Sequence, residues 1–159
     1  MKRKEFLGKA CPVLVLAMMN SPLLISCTKE PDPEPKGDDP SDLIGESGFY
    51  YSDNTLMVHI DNANFSELKS SGSFVNHLPQ GVLILRKDAT TVLAFDNCCP
   101  HQGTTNRWTF NGSNFRCNNH GNSYGIGSGS VANCNSNTIM GNLKQFGASL
   151  EGNIITVTF

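Results

Sequence analysis

Apolar positions along this chain recur mostly at every second residue, in short runs cut by turn-forming residues. Residues 48–51 (GFYY) and 56–60 (LMVHI) are two such runs, separated by Ser52-Asp53-Asn54. Residues 81–87 (GVLILRK) and 91–95 (TVLAF) flank Asp88-Ala89-Thr90, which predicts a hairpin. Residues 144–150 and 153–159 alternate with period two around Glu151-Gly152 and predict another. Only residues 64–70 leave room for a helical turn or two. From 97 to 142 the character changes: Asn, Gly and Ser dominate and long apolar runs vanish. A stretch so poor in core residues needs something besides burial to order it. The expected fold is therefore an all-β scaffold carrying a loop-rich insert, about 97–142, with no internal repeat.

The first 26 residues follow different rules. Met1-Lys2-Arg3-Lys4 is basic, and residues 10–25 are mostly apolar but interrupted by Asn20, Ser21 and Pro22. The run falls short of the ~20 residues that cross a bilayer and reads as a secretory signal. Residues 27–47 are rich in Pro, Asp and Glu, as in Pro31-Asp32-Pro33-Glu34-Pro35. Such a segment has nothing to bury and is expected to be an extended, solvated spacer. Charge is concentrated there: residues 27–47 hold seven acidic and two basic side chains, whereas residues 48–159 hold six of each. The domain at 48–159 is thus neutral and lacks the basic footprint of nucleic-acid binding.

Chemistry enters in the insert. Cys99-Pro100-His101 is followed, after fifteen residues, by Cys117-Asn118-Asn119-His120. Two thiols and two imidazoles thus arrive in two short clusters, each able to form one tight loop. Gly103 follows two after His101 and Gly121 follows His120; both can bring bare backbone N–H groups near the sulfurs. A Cys₂His₂ set also suits tetrahedral zinc, and Cys98 with His101 offers a C-x-x-H register matching Cys117 with His120. A third reading pairs the four cysteines of the domain into two disulfides and leaves both histidines idle. No catalytic triad, nucleotide-binding glycine loop or paired carboxylate site stands out. His59 and His77 lie outside the motif, Trp108 and Phe110 read as packing residues, and Met57 and Met140 as core gap-fillers.

The stretch CPHQG…CNNHG resembles the Rieske iron–sulfur proteins, in C-x-H-x-G followed by C-x-x-H-G. The resemblance covers roughly residues 48–159 and implies an antiparallel β-sandwich or barrel with an inserted cluster-binding subdomain. It implies one [2Fe–2S] cluster per chain, with Cys99 and Cys117 on one iron and His101 and His120 on the other. In high-potential relatives a Ser two after the second His and a Tyr four after it donate to cluster sulfurs. This chain has Asn122 and Tyr124 there, so Tyr124 is expected to point its hydroxyl at the Cys99 sulfur. Those relatives also bridge their two loops by a disulfide at positions occupied here by Thr104 and Asn119. Cys98 and Cys134 remain, the latter where the family has a third loop over the cluster, and a Cys98–Cys134 disulfide is expected. The implied role is one-electron transfer to a redox partner docking at the cluster tip. The additional mononuclear-iron domain of Rieske oxygenases is expected to be lacking.

Residues 24–27 (LISC) resemble the lipobox of bacterial lipoproteins. That implies cleavage before Cys27, acylation of its thiol and new amino terminus, and anchoring to a bacterial membrane on its exported side. Several acyl chains anchor firmly where one binds only marginally. The competing functional reading is a non-redox surface lipoprotein whose Cys/His insert is a zinc or disulfide staple.

Overall fold

The computed structural model describes residues 40–159, so the expectations for the signal segment, Cys27 and most of the spacer lie outside the described residues. A four-residue helix, α1 (Pro40–Leu43), precedes ten strands. They are β1 (Phe49–Ser52), β2 (Thr55–His59), β3 (Phe74–His77), β4 (Val82–Arg86), β5 (Val92–Asp96), β6 (Trp108–Phe110), β7 (Asn114–Cys117), β8 (Ser123–Gly125), β9 (Gln145–Glu151) and β10 (Ile154–Thr158). Short 3₁₀ helices at Ser66–Lys69 and Leu78–Gln80 flank β3.

Seven strands form one antiparallel sheet in the order β1-β2-β10-β9-β5-β4-β3. The expected hairpins are present. β1 and β2 turn through Asp53 and Asn54, both at positive φ (47° and 64°). This is the left-handed pair that a two-residue hairpin requires, and Asp and Asn tolerate it better than most residues. β5 and β9 share only two pairs, Ala94 with Phe146 and Phe95 with Gln145. The sheet curls around this narrow join. Leu56, Val58, Ile155 and Val157 from one half then pack in a single core with Val82, Ile84, Val92 and Ala94 from the other. Phe65 and Leu68, around the first 3₁₀ helix, close that core.

β4 explains its own unbroken apolar run. Val82 and Ile84 face the first core, while Leu83 and Leu85 face a second. Alternating side chains point to opposite faces of a strand, so a strand buried on both faces reads as continuous hydrophobicity.

The second core belongs to the insert and differs from the sequence expectation. Residues 97–142 contain a three-stranded sheet, β6-β7-β8, and a compact aromatic nucleus. Trp108, Phe115 and Tyr124 are buried there with Phe95 and Leu143, and Phe74 and Phe110 pack against them. Phe115 stands edge-on to Phe74, Phe95 and Trp108. Burial does help to order this segment. Its strands escaped the sequence reading because each is only three or four residues long and contributes no more than two large side chains inward.

Candidate metal centre

Two loops project from the insert, and they share one hydrogen-bond plan. In the first, Cys99 N–H donates to the Thr104 carbonyl (2.9 Å) and Gly103 N–H donates to the Cys99 carbonyl (2.8 Å). In the second, Cys117 N–H donates to the Asn122 carbonyl (2.9 Å) and Gly121 N–H to the Cys117 carbonyl (2.8 Å). Each loop therefore closes on its cysteine from both sides. The closure needs positive φ at the glycine, 70° at Gly103 and 80° at Gly121. A Cβ on Gly121 would also sit 3.2 Å from Arg116 Nη2. The role of the glycines is thus turn closure. Their N–H groups go to cysteine carbonyls rather than toward the sulfurs, and the backbone N–H groups of Asn119 and His120 are the ones aimed at Cys117 Sγ.

The first loop carries Cys99 and His101 and the second Cys117 and His120, so the pairing of the loops brings thiol to thiol and imidazole to imidazole. Both thiols are buried, at 1% and 0% exposure. Burial, with the Cys99 thiol beside it, pushes the Cys117 thiol above its ordinary range. The two imidazoles meet at the surface with Nδ1 facing Nδ1 at 3.2 Å and ring planes 86° apart. Among the described residues, no group of three or more His, Cys, Asp and Glu side chains is placed to hold a single metal ion. The donors come instead as two pairs, neighbouring thiols and facing imidazole nitrogens. Chemically that set fits a two-iron cluster, with soft thiolates for one iron and neutral imidazoles for the other. Bound iron would also resolve the unfavourable burial of thiolate, since a coordinating thiol is deprotonated by the metal's charge.

Cys98 and Cys134 form a disulfide with Cα atoms 5.3 Å apart. A sulfur so bonded offers no thiolate, which removes the alternative register through Cys98. The bridge fastens a third loop onto the first. Beside it, Ser136 N–H donates to the Pro100 carbonyl (2.8 Å) and Asn137 N–H to the His101 carbonyl (3.0 Å).

Tyr124 is fully buried under this junction, with its hydroxyl oxygen 3.9 Å from Cys99 Sγ. Its proton goes elsewhere: the hydroxyl donates to the Thr138 carbonyl at 2.7 Å. The expected direct donation to sulfur is therefore replaced by a tie between β8 and the third loop. Burial and the neighbouring Cys99 push the phenol pKa well above its ordinary value.

Three supporting residues had no signature in the sequence. Asn76 on β3 donates through Nδ2 to the Thr105 carbonyl (2.8 Å), and accepts at Oδ1 from Asn97 Nδ2 (2.9 Å). The Asn97 carbonyl accepts the Trp108 indole N–H (2.7 Å). This chain, which runs from the surface at Thr105 to the buried Trp108 indole, clamps the first loop, at both of its ends, to the scaffold. Arg116 donates through Nε to the Gly121 carbonyl at 3.3 Å and braces the second loop from outside. The Asn76 and Asn97 pairings span 29 and 21 residues, which local patterns do not encode.

A family model described as the Rieske [2Fe-2S] domain matches residues 59–146, more than half of the chain. No curated protein and no solved structure matches it significantly.

Proposed function

The chain belongs to the Rieske [2Fe–2S] family, and from that premise we propose that it is an exported, lipid-anchored one-electron carrier. The family carries a Rieske-type [2Fe–2S] cluster, serves electron transfer and docks with redox partners. Here Cys99 and Cys117 would hold the inner iron and His101 and His120, through Nδ1, the outer one. When bound, the group accepts and releases one electron, at about −150 to +300 mV against about −400 mV for an all-cysteine plant-type cluster. The chain's own residues do the rest. The aromatic nucleus keeps water from the sulfurs, the Asn76–Asn97 clamp holds the first loop, and the paired imidazoles stand at the surface where a partner can approach. Cys27 would supply the anchor and the acidic, Pro-rich segment the spacer, which suits a subunit or carrier of a quinol- or substrate-oxidising system.

The observation that carries this reading is the pair of facing Nδ1 atoms on the same two loops that carry the two buried thiols. Low-temperature EPR of the protein matured with iron and sulfide and reduced with dithionite tests it. A rhombic signal of low average g, from a red-brown protein, is the expected result. A colourless, EPR-silent protein that holds zinc or nothing, alongside a control that assembles its cluster, would make the insert a structural staple.

A further inference from the structure

Charge is distributed unevenly over the domain. The chain has 14 acidic residues, yet none occurs between Asp96 and Glu151. That span contains all three loops of the metal centre. Its cations are Arg107, Arg116 and Lys144. Two of them flank the second loop: Arg116 bonds the Gly121 carbonyl, and the Arg107 carbonyl accepts the Asn118 N–H at 2.6 Å. Both side chains are exposed.

The third loop adds apolar surface. After its hydrogen bond to His101 through Asn137 it continues into Ile139 and Met140, which are 57% and 70% exposed. Met140 is thus a surface residue rather than the core gap-filler its type suggested. Two adjacent apolar side chains this exposed form a small patch that a partner can cover. Met and Arg are among the residues enriched where proteins meet, and charged residues are depleted at the centre of such a patch.

We propose that this tip docks a redox protein whose contact face has an apolar centre rimmed by carboxylates. The apolar centre would cover Ile139 and Met140 and the carboxylates would face Arg107 and Arg116. The proposal rests on the electron-carrier reading and adds the chemistry of the partner. Charge complementarity carries it. The remainder of the domain, where Asp53, Asp61, Glu67, Asp88, Asp96 and Glu151 outnumber Lys69, Arg86 and Lys87, is net acidic and would repel the same partner. Approach is then steered tip first. A protein suits the site better than an anionic lipid surface, because Arg116 and the third loop bond the very loops that carry His120 and His101, and only an electron acceptor makes use of those imidazoles.

The test is stopped-flow oxidation of the dithionite-reduced, cluster-loaded full chain by two small acceptors over a range of salt. Ferricyanide, a trianion, stands in for carboxylates; tris(phenanthroline)cobalt(III), a trication, is its opposite. Each takes one electron from the protein and is reduced by one unit. Screening shortens from about 30 Å at 0.01 M to about 3 Å at 1 M ionic strength. The ferricyanide rate should fall several-fold across that range and the cobalt rate should rise. Arg107→Glu, with its EPR signal unchanged, should weaken or invert both trends. A normal EPR signal with rates indifferent to salt, or with the trication favoured at low salt, would overturn the proposal and leave the electron-carrier reading standing. So would an Arg107-dependent attachment to phosphatidylglycerol vesicles without any preference for ferricyanide, which would assign the tip to lipid. Absence of the EPR signal would remove both.

Discussion

Replacing both Cys98 and Cys134 by Ala breaks the one covalent tie between the first and third loops while sparing the four residues proposed to hold the cluster. The bridge spans 36 residues, and loop-closure entropy for that length amounts to roughly 3–4 kcal/mol at 25 °C. What remains across the junction is four backbone hydrogen bonds, from Asn135, Ser136, Asn137 and Thr138 to the carbonyls of Cys99, Pro100 and His101. Each contributes about 1 kcal/mol net, so the disulfide is worth about as much as all of them together. For a domain of this size the loss corresponds to a fall in Tm of about 10–15 °C. Differential scanning fluorimetry of the loaded protein measures it, and hydrogen exchange at residues 135–138 should accelerate in parallel. Visible absorbance at room temperature should be retained. A Tm change below about 3 °C would refute the entropic account, and loss of colour in the folded variant would show that one of these sulfurs serves the cluster.

Three further outcomes follow from single side chains. Tyr124→Phe removes the hydroxyl that bonds Thr138 and should cost about 1 kcal/mol in denaturant unfolding. Because that proton is committed to Thr138 and the hydroxyl stands 3.9 Å from Cys99 Sγ, the midpoint potential should change little; a clear fall would show that Tyr124 donates to the sulfur in the loaded protein. His77 is buried against Phe49 and Phe65, and burial lowers its pKa from the ordinary 6.5. The unfolded chain therefore takes up a proton before the folded one does. The contribution of His77 is complete above pH 6.5 and is lost as pH falls below it. His77→Phe should flatten that part of the stability profile, and an unaltered slope would contradict the assignment. Asp88 accepts from Thr90 and Thr91 in the β4–β5 turn, which pulls its carboxyl from 3.8 down to about 2. Its stabilisation is present above pH 3.8 and disappears as pH falls through about 2; Asp88→Asn should show a shallower acid transition in thermal melts.

Two kinds of information were legible before the fold was known. Period-two alternation at 144–159 and the polar turn at 88–90 are local, and the β9–β10 and β4–β5 hairpins formed where those patterns placed them. The metal chemistry was equally legible, because the residues with soft and borderline donors sit only a few positions apart within each cluster. β3 and the insert's own sheet were not. Phe74–His77 is four residues long without clean alternation, and it becomes a strand because β4 offers it an edge. Strands β6 to β8 exist because Trp108, Phe115 and Tyr124 find one another, and each alone is unremarkable in its local sequence.

By itself, then, the sequence determined an all-β domain, its Rieske family and the Cys98–Cys134 pairing, since backbone periodicity and motif spacing are properties of neighbours along the chain. Tertiary structure alone decided that β4 is covered on both faces, that Tyr124 sends its proton to Thr138 rather than to Cys99, and that two imidazoles nineteen residues apart meet through Nδ1. A hydrogen-bond donor has one proton and takes the acceptor that packing brings within reach, and which acceptor that is depends on contacts between residues far apart in sequence.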